Sequence, residues 1–234
     1  MHQVGDTFLM AWQLFASADM QLLSIVALSL KVSFSATLIA CICGMPIGAF
    51  IAVGQFPGRR WLEVLFNGLM GLPPVVVGLI VYLLLSRAGP LGPFGLLFSP
   101  TAMVIAQAVL VTPLVAALTR QLIADSWREY REQLQSLGAS RPRAAMLLLW
   151  DGRFSLTTAA LAGFGRAIAE VGAVMIVGGN IDGLTRVMTT TIALETSKGD
   201  LPLSMALGAV LISLVLAINT AAYLLRQWAE KRWG

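Results

Sequence analysis

Charge is what this 234-residue sequence most lacks: Asp, Glu, Lys and Arg make up 12% of it, about half the usual share of roughly 25%. A soluble domain of this length needs a charged, hydrated shell. With 57% hydrophobic residues and a mean hydropathy of +0.80, the chain falls outside that class. Disordered chains, nucleic-acid-binding domains and disulfide scaffolds are equally poor fits. Histidine is nearly absent, His2 being the only one, so no histidine metal site or Ser-His-Asp triad can be assembled. Cysteine is limited to Cys41 and Cys43. On a helix their side chains point about 200° apart, so they neither pair nor share a metal and read as small packing residues. No Gly-x-x-x-x-Gly-Lys-[Ser/Thr] loop occurs, so the chain cannot bind ATP that way. No convincing nucleophile or paired carboxylates support a membrane-bound enzyme.

What the sequence has instead is long charge-free stretches. Val32–Gly58, Val64–Ser86, Ala88–Thr119 and Leu201–Leu225 contain no Asp, Glu, Lys or Arg, and Phe154–Ile181 contains only Arg166 and Glu170. A spanning helix needs about 20 apolar residues. The stretches therefore predict an all-α membrane protein with five spans, over 22–54, 61–86, 101–124, 154–181 and 202–226. Gly89-Pro90, Gly92-Pro93 and Ser99-Pro100 break helices, which makes 87–100 an external loop. Residues 1–21 read as an extracytoplasmic, interfacial amphipathic segment, because Phe8, Trp12 and Phe15 share a helical face. A sixth span and a removed leader ending at Ala16-Ser17-Ala18 stay open beside that reading; Asp6 and the lack of Lys or Arg in 1–7 disfavour the leader. With five spans, eleven basic residues lie on the side holding Arg59, Arg60, Arg120, the 125–153 segment and the C-terminal end, against Arg87, Arg186 and Lys198 on the other. The positive-inside rule then predicts an outer N-terminus and a cytoplasmic tail over 227–234.

Much of the scarce charge sits in one cytoplasmic loop, 125–153. Trp127, Tyr130, Leu134 and Leu137 recur at spacings of three and four, the pattern of a short amphipathic helix. Gly138 suits its C-terminus, and Pro142 can open a second helix into Ala144–Leu149. An apolar helical face presented to the cytoplasm is explained by a partner lying on it. Here the spacing Glu132-Gln-Leu-x-x-x-Gly138 resembles the Glu-Ala-Ala-x-x-x-Gly loop of ATP-binding-cassette importer permeases. Gln133 and Leu134 replace the two alanines, and Trp150-Asp151 stands where Leu-Pro usually closes the motif. Ser29-Leu-Lys-Val-Ser33, Leu72-Pro-Pro-Val-Val-Val-Gly78 and Gly165-Arg-Ala-Ile-Ala-Glu-Val-Gly-Ala173 look like permeases of molybdate, tungstate and sulfate importers. Gly178-Gly-Asn-Ile-Asp-Gly-Leu-Thr-Arg186 and Thr189-Thr-Thr-Ile-Ala-Leu-Glu-Thr-Ser-Lys-Gly-Asp200 look closest to the tungstate branch. The resemblance covers residues 22–226 and is to the type I importer permease fold.

That resemblance implies a multi-pass subunit of a prokaryotic cytoplasmic membrane that moves a tetrahedral oxyanion, tungstate first, by alternating access. Molybdate, sulfate or another anion is the alternative within the family, and an ion-coupled secondary transporter or channel is the alternative outside it. Such folds often show two repeated halves, and no internal repeat is visible here. The implied partners are a second copy of the chain, two cytoplasmic ATPase subunits, an extracytoplasmic oxyanion-binding protein and the bilayer, with no nucleic acid. No cofactor belongs to this chain; ATP and Mg bind the ATPase subunits. Glu132, Leu134, Leu137, Gly138 and Ala139 become the candidates for ATPase coupling. Pro73, Pro74, Gly165, Arg166, Glu170 and Gly172 become pore or gate candidates. Pro73-Pro74 removes two backbone donors and should kink or interrupt the second span. Arg166 and Glu170, at i and i+4, fall on one face of an unbroken helix and can neutralise each other; helping the anion through and fixing helix packing are both open to them. Gly44-x-x-x-Gly48, Gly163, Gly165, Ala169 and Gly172 suit close helix packing, between copies or within one. Asn180, Thr185, Arg186, Thr189 and Thr190 become outer-mouth candidates, either as donors to a dianion or as a contact for the binding protein. No catalytic or metal-ligating residue is assigned.

Overall fold

A computed structural model describes residues 20–233, and all its regular structure is helical: α1 (Met20–Val53), α2 (Arg59–Leu69), α3 (Pro74–Leu85), a 3-10 turn (Gly92–Phe94), α4 (Pro100–Ser136), α5 (Arg141–Asp151), α6 (Arg153–Ile168), α7 (Gly172–Gly178), α8 (Met188–Lys198) and α9 (Leu201–Trp233). The expectation of an amphipathic segment over 1–21 lies, but for its last two positions, outside the described residues.

Three helices are long and apolar enough to cross a bilayer unbroken: Leu22–Val53, Pro100–Ser136 and Leu201–Leu224. Two further crossings arise only if each bent helix pair counts as one span, α2 with α3 at 100° and α6 with α7 at 58°. The 12 residues of α3 rise only about 18 Å, short of the roughly 30 Å hydrocarbon core. The break before α3 has a local cause. Pro73 and Pro74 carry no N–H, so the helical ladder cannot pass through them, and Pro74 instead takes the first position of the next helix.

Two expectations need correction. The 154–181 stretch is not one helix: α6 ends at Ile168 and α7 begins at Gly172. Gly163, Gly165 and Gly172 weaken the helix on both sides of the break, and the Glu170 carboxylate accepts the Ala173 N–H at 3.2 Å, starting a separate helix. The argument that Arg166 and Glu170 share a helical face therefore lapses. Nor is the stretch from Trp127 to Leu137 a separate short helix. Up to Ser136 it is the end of α4, whose 37 residues extend about 55 Å, because no Gly or Pro lies between Thr119 and Leu137 to stop it; Leu137 falls in the turn that follows.

The chain forms two compact units, one of residues up to Ser35 with Pro74–Gln107 and Ile168–Thr220, the other of Ala36–Pro73, Ala108–Ala167 and residues from Ala221 on. In the second unit the C-terminal part of α1 lies directly on α4. A Cβ on Gly48 would collide with the Ala116 carbonyl oxygen, and one on Gly44 would sit 2.9 Å from that of Thr112. This glycine pair therefore serves packing within the chain. Ala49, Ala52 and Val53 of α1 close a core with Ile123 and Trp127 of α4 and Ala144 and Leu148 of α5. In the first unit α3 lies against α7, where a Cβ on Gly78 would sit 2.7 Å from the Ala173 Cα.

Candidate functional site

The turn between α4 and α5 is built by its backbone. Gly138 has φ +69°, the left-handed region that favours glycine. The Ala139 N–H bonds the Leu134 carbonyl at 2.9 Å and the Gly138 N–H bonds that of Gln135 at 3.0 Å, the paired bonds that close a helix after a left-handed residue. Ser140 then precedes α5 in extended conformation, with proline in the helix's first turn. The sequence-derived coupling candidates divide here. Glu132, Leu137 and Gly138 are exposed, Leu137 at 81%, whereas Leu134 packs on the core around Trp127. Trp127 itself is 8% exposed. Half of the apolar stripe read as partner-facing thus turns into the chain, because α1 and α5 supply alanines for it to rest on. The exposed apolar surface lies further on, at Met146 and Trp150 of α5, 73% and 72% exposed; their place in the apolar run after Pro142 was the available signal.

The outer-mouth candidates gather between α7 and α8. Thr185 Oγ1 donates to the Gly178 carbonyl at 2.6 Å and accepts the Ile181 N–H at 2.9 Å. Thr189 Oγ1 donates to the Glu170 carbonyl at 2.8 Å. Thr190 Oγ1 lies 2.9 Å from Asn180 Oδ1 and 3.1 Å from the Val187 carbonyl, and accepts the Val187 N–H. A hydroxyl has one proton to give, so all three threonines already have internal acceptors. All three are buried. The Met188 N–H reaches Ser29 Oγ of α1 at 2.8 Å, tying the start of α8 to the first helix. Arg186 pairs with Asp182 at 3.1 Å, and its Nε is buried without an acceptor among the described residues.

The pore and gate candidates are distributed around the breaks. Pro73 and Pro74 end the α2–α3 break. Gly172 opens α7, where a Cβ would press on Val75 of α3 at 2.9 Å. Glu170 is 4% exposed. Arg166 lies in the last turn of α6, where the helix's carbonyl end favours a cation. A Cβ on Gly165 would meet no atom within 4 Å, unlike those on Gly163 and Gly172. Among the described residues no group of His, Cys, Asp or Glu could hold a metal ion.

Long apolar helices, two apolar helix pairs bent at a break and a helix–turn–helix segment with exposed apolar positions are features of a membrane transport component, and comparison with known proteins identifies which. Residues 44–234 match the binding-protein-dependent transport system inner membrane component family. The chain belongs to this family. It is 43% identical to the tungstate uptake system permease protein TupB of Peptoclostridium acidaminophilum, over 97% of this chain and all of that one. It is 38% identical to a probable anion ABC transporter permease protein of Haloferax volcanii over 94% of this chain and 99% of that one. It is 35% identical to TupB of Campylobacter jejuni over 96% and 94%. The chain is thus an all-helical, multi-pass inner-membrane permease of an ATP-binding-cassette import system, a kind of system that includes an ATPase and a binding protein.

Proposed function

We propose that this permease conducts tungstate inward, as a homodimer driven by two separate cytoplasmic ATPase subunits and fed by an extracytoplasmic binding protein. The observation that carries the choice of anion is the 43% identity to a tungstate uptake permease across nearly the whole chain, echoed at 35% by a second one. The test is ATP-dependent uptake of tungstate, molybdate and sulfate by the reconstituted importer. Tungstate should be moved at the lowest concentration, and a preference for sulfate would reject the assignment.

ATP binding closes the ATPases on the end of α4 and the turn after it, where Glu132, Leu137 and Gly138 are exposed and the half-buried Ala139 closes the turn through its backbone bond to Leu134, with Leu134 bracing it from within. Movement of that turn opens the pore outward, and hydrolysis returns it. Pro73, Pro74, Gly165, Arg166, Glu170 and Gly172 lie at or beside the helix breaks, where the path opens and closes. The internal bonds of Thr185, Thr189 and Thr190 favour a shaped mouth for the binding protein over direct anion contact; Asn180 and Arg186 border that mouth. In this reading the chain itself has no ATP site and is not an enzyme. The segment over 1–21 lies at the outer interface, 125–153 is the cytoplasmic loop, and the C-terminal tail is cytoplasmic. Single cysteines on a background with Cys41 and Cys43 replaced test the orientation. Gly183→Cys should react with a membrane-impermeant maleimide from outside, and Ser140→Cys only after the membrane is opened; the reverse pattern would invert the topology.

A further inference from the structure

Between the inner end of α1 and the underside of α5 lies a groove of about 570 Å³, a volume typical of sites for small ligands, roughly 300–1,000 Å³. Its walls are Pro46, Ala49 and Phe50 on one side and Ala145, Met146 and Leu149 on the other. Phe56, stacked on Phe50 at 5.2 Å between ring centroids, closes one end. The groove lies where the span Leu22–Val53 finishes, and a spanning helix ends near the boundary between acyl chains and headgroups. Arg141, the first residue of α5, stands at its rim and bonds the neutral amide oxygen of Gln55. It makes no ion pair among the described residues. Among the described residues no carboxylate lines the groove, and Glu63 of α2 is already held by Arg59 at 2.9 Å and faces Arg120 at 4.0 Å. The rim therefore carries uncompensated positive charge above an apolar slot.

We infer that this groove is a binding site for an anionic phospholipid, with an acyl chain between α1 and α5 and the headgroup phosphate on the Arg141 guanidinium. An apolar slot at the membrane surface with one cation at its mouth has the two parts of such a lipid in the right order, and a guanidinium suits a phosphate's paired oxygens. A basic site at the inner surface attracts anionic lipid headgroups. The bound lipid touches both a spanning helix and the helix that follows the proposed coupling turn, so it braces α5 and makes ATPase coupling sensitive to anionic lipid. Placing it in the cytoplasmic leaflet rests on the orientation proposed above; the binding does not.

The experiment measures retention of spin-labelled phosphatidylglycerol against spin-labelled phosphatidylcholine by the assembled importer in vesicles carrying the probe in both leaflets, so its outcome is independent of topology and of the anion transported. The expected result is preferential retention of phosphatidylglycerol. Arg141→Gln should reduce that preference by about fivefold, the effect of one basic residue near the surface, while Arg141→Lys keeps most of it. Ala145→Trp, which fills the groove, should remove the specifically retained lipid. Equal retention of the two lipids in the unaltered protein would overturn the assignment, as would an unchanged preference in Arg141→Gln. So would retention that survives Ala145→Trp, absence of any retained lipid because a second copy or the ATPase covers the groove, or displacement by inorganic phosphate alone, which would make it a free-anion site.

Discussion

Replacing Gly138 separates the shape of the coupling turn from its bulk. The residue sits at φ +69°, and a Cβ there would meet nothing within 4 Å. Intrachain crowding therefore contributes nothing to the cost of substitution, and the whole penalty is conformational. A left-handed residue with a Cβ costs about 1–2 kcal/mol, with alanine near the lower figure and β-branched valine at or above the upper one. Asparagine, which visits this region readily, costs least. An increment of one or two kcal/mol changes the population of the correct turn by a factor of about 5–30. The readout is anion-stimulated ATPase activity of the reconstituted importer, normalised to permease in the membrane and compared with basal ATPase activity. Stimulation should decline in the order Gly, Asn, Ala, Val while permease levels hold. If Gly138→Asn is as damaging as Gly138→Val, the turn is limited by contact with the ATPase and the conformational argument fails. If all three variants couple normally, the turn is not the point of coupling.

Other residues divide between packing and contact in the same way. Trp127→Ala removes a side chain only 8% exposed and should cost about 3–5 kcal/mol, seen as a lower melting temperature. Leu137→Ala, at a position 81% exposed, should leave melting unchanged and reduce coupling; similar melting losses for both would contradict the assigned orientations. Gly48→Val drives a side chain into the α4 backbone and should destabilise the chain by about 1–3 kcal/mol or more. A Cβ on Gly165 would meet no atom within 4 Å, so Gly165→Val should spare the melting temperature and lower cross-linking between copies if α6 faces its counterpart. Thr190→Val deprives Asn180 Oδ1 and the Val187 N–H of a buried partner, at about 1–3 kcal/mol, and Thr190→Ser should restore most of the loss in a melting assay.

Composition and spacing were enough to read an all-helical membrane protein, because a bilayer imposes its length on any helix that crosses it and leaves that length visible as uncharged sequence; the permease reading came from the resemblance of its motifs. The break at Pro73-Pro74 was legible for a similarly local reason, since a proline lacks its N–H in every context. So was the turn at Gly138, which calls for a residue at ease in the left-handed region. Arg166 and Glu170 were legible as unusual but not in their geometry. Whether the helix continues past Ile168 depends on the Glu170 carboxylate finding the Ala173 N–H and on α3 packing against α7. Threonines 185, 189 and 190 looked like donors for an anion, and only their positions beside the Gly178, Glu170 and Asn180 oxygens give them internal partners.

By itself, then, the sequence determined the class of protein, its family resemblance and the places where the backbone must bend, because hydrophobic length, missing donors and positive φ are properties of residues. Tertiary structure decided which way each side chain faces: Trp127 inward on α4 and Leu137 outward in the turn after it, Gly48 against α4 and Gly165 open, Arg141 at the rim of an apolar groove. Those assignments depend on neighbours distant in the chain, and helical periodicity defines a face without saying what lies opposite it.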